Sequence, residues 1–195
     1  DTLNNIGGHI HSQKAHLSAK QDINNIGGTL SADDALVLQA GKDINSRSTT
    51  AHYQNGKNEI THLDRIAGLY ITGNQDGVLA LDAGNNINLA ATTLSNQSEN
   101  GLTQLKAGHD LNLETVQTNS HKEIHFDENN HIIRGSSSEI GTNIQTNGNV
   151  TLMAAHDVNA RAANVSSQNG ALNVVAGNNI HLTSGVESTL IDDAA

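Results

Sequence analysis

The chain has 195 residues, 35% of them hydrophobic but only 2% aromatic, with 18 Gly, no Pro and no Cys. Its formal charge of −10, from 20 acidic against 10 basic residues, has the wrong sign for neutralising nucleic-acid phosphates or adsorbing to anionic lipid. Thiolate metal sites and disulfides are excluded, no run of about 18 apolar residues offers a spanning helix, and scarce rings favour a narrow core of Leu, Ile, Val and Ala.

Residues 1 to 46 open with a repeated phrase. Leu3-Asn4-Asn5-Ile6-Gly7-Gly8-His9-Ile10 lines up with Ile23-Asn24-Asn25-Ile26-Gly27-Gly28-Thr29-Leu30, and Leu36, Leu38, Ala40, Gly41, Asp43 and Ile44 bring it round again. From Ser46 to Asp64 the apolar alternation fails. Two polar strands flank Asn55-Gly56 there, a strong hairpin signal, so residues 47–64 are predicted to leave the core. Ile66 to Ile71 returns to it.

The clearest copy follows at Leu79 to Leu94. Leu79, Leu81 and Ala83 alternate with small or polar residues, Gly84-Asn85 interrupts, and Ile87, Leu89 and Ala91 resume. Period two broken by a Gly-Asn pair describes two half-buried strands meeting at a tight corner. Leu105 to Asn112 repeats it. Residues 121–138 read as a second hairpin, the core resumes near Ile144, residues 150 to 186 give the last turns, and Asp192 to Ala195 are expected to fray. Asp1 opens neither a signal peptide nor a Met start, so the chain reads as an internal segment of something longer.

The apolar residue after each corner supplies a ruler: Leu3, Ile23, Ile44, Ile87, Leu111, Val158 and Ile180. The spacings are 20, 21, 43, 24, 47 and 22, and the two long ones each contain a hairpin. A period in this range signals a solenoid, because no single copy can bury its own apolar face. The expectation is all-β: a parallel stack of about seven to nine coils with two β-hairpin excursions. At ~4.8 Å per coil, the rod is on the order of 35–40 Å long. Ile23, Ile44, Ile87, Leu111, Val158 and Ile180 are expected to form an inward column. Asp22, Asp43, Asn86, Asp110, Asp157 and Asn179 occupy one corner position, where their side chains suit backbone N–H groups in tight turns. Asn24, Asn45, Asn88, Asn112 and Asn159 are placed for an amide ladder.

The excursions hold Tyr53, Phe126, five His residues and three Arg. Function concentrates on loops held by a rigid scaffold, so Tyr53, His62, Tyr70, His125 and Phe126 are the candidate contact residues. The alternative is that the hairpins are solvated decoration or pair with each other as extra sheet.

Other chemistries fit poorly. Calcium-binding β-rolls repeat every nine residues. His9 and His11 share a strand face, as do His121 and His125, but zinc needs a third ligand and an organised surround. Asp127 and Glu128 would point to opposite faces, unlike the facing carboxylates of a glycosidase. Asp82, Lys106 and Asp110 are explained equally well by corner stacking. No catalytic, cofactor or metal residue is assigned.

The Ala-Gly-x-Asp/Asn-Ile-Asn corners at 40–45, 83–88, 107–112 and 176–181 closely resemble the haemagglutinin repeats of filamentous haemagglutinins and of contact-dependent growth inhibition exoproteins. Ala154-Ala155-His156-Asp157 and Ala19-Lys20-Gln21-Asp22 depart from the pattern. The resemblance implies a right-handed parallel β-helix, export through an outer-membrane transporter of a two-partner (type Vb) system, and a place on a Gram-negative cell surface. It further implies a non-enzymatic filament presenting receptor-binding or toxin domains. A second reading has the repeats contact a target-cell receptor or outer membrane during toxin delivery, and a third, weaker one is a polysaccharide-active β-helix enzyme.

Overall fold

The computed structural model describes residues 1–127 and 130–194. Among them there is no helix. Seven short strands, β1 (Leu3–Ile6), β3 (Ile23–Ile26), β5 (Ile44–Arg47), β10 (Ile87–Ala90), β13 (Leu111–Glu114), β18 (Val158–Arg161) and β21 (Ile180–Thr183), form one parallel sheet in that order. Their first residues are register partners from one end of the sheet to the other. Each coil contributes one strand, so there are seven coils of a parallel β-helix.

Two further walls close each of the first six coils. In the first two coils a single bent strand crosses both walls, β2 (His9–Ala19) and β4 (Thr29–Ala40). The first half of β4 pairs with β8 (Gly68–Ile71) and the second half with β9 (Val78–Ala83). One wall then continues through β11 (Thr93–Asn96), β16 (Asn143–Thr146) and β19 (Asn164–Ser167). The other continues through β12 (Leu102–Ala107), β17 (Asn149–Ala154) and β20 (Leu172–Ala176).

The alternating sequence explains these walls. In β9, Leu79, Leu81 and Ala83 point inward while Val78, Ala80 and Asp82 are half-exposed, and β17 repeats the arrangement. The largest fully buried side chains are all Leu or Ile, as a narrow interior with no room for rings requires. Burial of each is worth about 1.5–3 kcal/mol, and it is available only because the next coil covers it. On the last coil Ile180 is 48% exposed, whereas Ile23, Ile44, Ile87, Leu111 and Val158 are buried.

Among the described residues, all the strands that leave the coil do so at one corner, just after the seven-stranded sheet. Where the corner stays closed, its first residue has positive φ: Gly7 (64°), Gly27 (56°), Ala91 (48°) and Ala162 (49°). Where it opens, Ser48, Thr115 or Ser184 stands there instead. From coil three emerge β6 (Thr49–Asn55) and β7 (Asn58–Arg65), turning at Gly56 with φ 62°. From coil five emerge β14 (Val116–His125) and β15 (His131–Ile140), and from coil seven β22 (Glu187–Ala194). These five strands make one antiparallel sheet, ordered β22-β15-β14-β7-β6. The expected fraying of the last residues is therefore corrected. Asp192, Asp193 and Ala194 pair with Ile133, Ile132 and His131, because β15 offers an open edge beside the exit of coil seven. Ala195 and Glu128, and with Glu128 the expectation that Asp127 and Glu128 point to opposite faces, lie outside the described residues.

Candidate functional site

The corner before the seven-stranded sheet is a ladder of side-chain acceptors. Asp22 Oδ1 accepts the Asp43 N–H (3.2 Å), and Asp43 Oδ1 accepts the Asn86 N–H (2.8 Å). Asn86 Oδ1 accepts the Asp110 N–H, Asp110 Oδ1 that of Asp157, and Asp157 Oδ1 that of Asn179, each at 2.9–3.0 Å. Each side chain thus reaches the next coil and satisfies an amide the turn leaves without a ladder partner. Burial pushes the Asp110 carboxyl up, but the Asp157 N–H and the imidazoles of His156 and His109 outweigh it and hold it below its ordinary value. One residue into the sheet runs an amide ladder. Asn24, Asn45, Asn88, Asn112 and Asn159 each donate from Nδ2 to the Oδ1 of the preceding rung at 2.8–2.9 Å, beginning at Asn4.

The five-stranded sheet is held differently, by pairs that occur once. Glu123, on β14, meets Lys57 of the first hairpin (2.5 Å) and His125 on its own strand. The Lys57 ammonium, followed by His125, holds its carboxyl down at about 2. Glu139, at the foot of β15, takes two bonds from the Arg161 guanidinium (2.9 and 2.7 Å), one from the Val186 N–H (2.7 Å) and one from Thr115 (3.3 Å). Arg161 foremost brings its carboxyl to about 2. Glu139 therefore ties together the neck of the second hairpin, coil six and the exit of coil seven. At the first neck, Ser48 Oγ donates to the Ala91 carbonyl and accepts the Ala67 N–H at 2.9 Å.

The structure brings together only some of the candidate contact residues. Tyr53 and His62 stack with ring centroids 5.8 Å apart and 4° between planes. Beside them, Tyr53, Ile60, Glu59, Ser120 and Lys122 line a depression of about 630 Å³ where the two hairpins meet. Tyr53 and Ile60 are exposed. His125 sits near the second hairpin tip with its ring against His131, and Phe126 is exposed next to it. Tyr70 belongs to the coil, half-buried between its register partners Ser31 and Ser95. Lys106 pairs with Asp82 at 3.8 Å, whereas Asp110 is taken by His109 and His156. Sequence reading passed over Glu123, Glu139, His109 and His156. The two glutamates carry no periodic signal, but each His precedes a corner acid, a position shared by successive coils.

A model of the hemagglutinin repeat matches residues 2–78 and 127–190, most of the chain. Neither the curated proteins nor the solved structures yield a match. The repeat is characteristic of structural and adhesive proteins that are secreted or surface-exposed. With seven stacked copies of the repeated phrase and the match over most of its length, the chain belongs to the hemagglutinin repeat family.

Proposed function

We propose that this segment is a stiff stalk section of a large secreted exoprotein, carrying receptor-binding or toxin-bearing parts away from a Gram-negative surface. The observation that supports it most is the unbroken register of the seven-stranded sheet. Ile44 pairs directly with Ile87, and Leu111 with Val158, although a hairpin intervenes in each case. Insertions are diverted sideways and the stack between them continues, which suits a rod under axial load. In this reading the chain crosses an outer-membrane transporter of a two-partner system unfolded and stacks outside, each coil templating the next.

A second reading is favoured by the Tyr53–His62 stack beside exposed Ile60: the hairpin sheet itself contacts a receptor or outer membrane on a target cell. One experiment in the parent exoprotein bears on both. Ile87→Asp, which breaks the stack, is expected to abolish surface display, and normal display would overturn the stalk reading. Tyr53→Ala with His62→Ala alters only exposed rings. Normal display with lost target-cell binding would establish the contact role, and unchanged binding would remove it.

A further inference from the structure

We propose that His109, Asp110, His156 and Asp157 form a binding site for a divalent transition-metal ion of the zinc type, spanning coils five and six. The site is built by the stack. The His156 N–H donates to the His109 carbonyl at 2.9 Å, so the two residues occupy the same rung position on adjacent coils. Their imidazoles lie with centroids 4.7 Å apart and planes at 22°. His109 Nδ1 is 3.0 Å from Asp110 Oδ2, His156 Nδ1 is 3.0 Å from Asp110 Oδ1, and His156 Nδ1 is 3.3 Å from Asp157 Oδ2. One ligand atom from each of His109, Asp110 and His156 falls within 4.8 Å of the others.

Separations of about 3 Å between donors suit atoms sharing one small ion at roughly 2.0–2.2 Å from each. The rings are about half exposed, so each can turn about its Cβ–Cγ bond until both Nδ1 lone pairs meet at one point. The carboxylates cannot drift. Asp110 Oδ1 is fixed by the Asp157 N–H, and Asp157 Oδ1 by the Asn179 N–H and Asn178 Nδ2. Their Oδ2 atoms remain directed at the imidazoles. Two imidazole nitrogens with two carboxylate oxygens suit zinc, copper or nickel over calcium and magnesium, which favour all-oxygen shells. The corresponding residues on the other five coils are Asp1, Gln21, Lys42, Asn85 and Asn178, so the imidazole pair is confined to this one place on the ladder. A bound ion would clip coil five to coil six from outside.

The test is calorimetric titration of the chelator-treated 195-residue chain with zinc chloride at pH 7.5. The expected result is one ion per chain, with affinity falling about tenfold or more in His109→Ala and in His156→Ala, and unchanged in His11→Ala. Both histidines are exposed, so the metal-free thermal midpoint should stay put while the zinc-induced rise disappears. Copper(II) added instead should show two equatorial nitrogens by electron paramagnetic resonance. No saturable binding below about 1 mM, or binding that survives both substitutions, would overturn the proposal.

Discussion

The two corners that flank the seven-stranded sheet are built for opposite ends. The corner before it carries Asp or Asn at every turn from Asp22 to Asn179, and five successive side chains each hold an amide of the following coil. The corner after it is closed by a residue of positive φ in four coils and opens to release strands from three. One is constrained because its side chains bond between coils. The other is free because its closure rests on a single residue's backbone angle. A solenoid can therefore accept insertions at one edge of a sheet while keeping register at the other.

Striking the sheet between the corners should have the largest effect. Ile87 has no exposure, and Ile87→Asp places an unpaired charge against Ile44 and Leu111. The expected loss is about 3–5 kcal/mol, measured by thermal or denaturant unfolding. Asn85→Ser, two residues away on the exposed corner, should cost under about 0.5 kcal/mol. Equal midpoints for the two would contradict the inward placement of Ile87.

Next comes the ladder corner. Asp43→Ala removes the acceptor for the Asn86 N–H and for Asn85 Nδ2, leaving a half-buried amide unpaired at a cost of about 1–2 kcal/mol. Asp43→Asn retains an oxygen there, as Asn86 does on its own rung, and should stay within about 0.5 kcal/mol of the parent. If Asn were as damaging as Ala, the rung would depend on charge rather than on an acceptor.

The exit corner should respond with opposite signs at equivalent positions. Gly27→Ala adds a Cβ at φ 56°, 2.9 Å from Arg65 Cβ and 3.2 Å from Thr49 Cγ2, and should destabilise by about 1–2 kcal/mol. Ala162→Gly relieves a positive φ and should stabilise by about 0.5 kcal/mol after the entropy of the added glycine. Two changes of the same sign would mean that backbone angle does not decide whether this corner closes.

The two corners were also unequally legible. Repetition made the ladder corner visible: Ile23, Ile44 and Ile87 recur at a fixed offset from an Asp or Asn, and each is a register partner of the next. Both hairpins announced themselves by the failure of that pattern, the first by Asn55-Gly56 as well. Their pairing with each other is one alternative the sequence offers, and β7 and β14 do pair; their union with β22 carries no such signal. The β7–β14 pairing joins Thr61 to Asn119 and Glu59 to His121, contacts fixed by how far each hairpin leans rather than by any period. Asp192 to Ala194 looked like a loose end because their partner strand, β15, lies about 60 residues upstream. His109 and His156 escaped notice for a related reason: 47 residues separate them, and only stacking makes them neighbours.

The smallest effect should come from acid at the exit corner. Glu139 has its folded pKa depressed from 4.5 to about 2, by Arg161 first and then by the Val186 N–H. A lowered folded value means its contribution is fully present above the unfolded value, and is lost as pH falls from about 4.5 through about 2. The consequence is local, since Glu139 joins the second hairpin and the start of β22 to Arg161, and touches none of the ladder rungs. Amide exchange in Glu187 to Ala194 should therefore accelerate as pH drops through that window, once corrected for intrinsic pH dependence, while Ile44, Ile87 and Leu111 stay protected. Glu139→Gln should bring the faster exchange to neutral pH. Loss of protection in the seven-stranded sheet at the same pH would show that the exit corner and the stack open together, and that the division between the two corners fails.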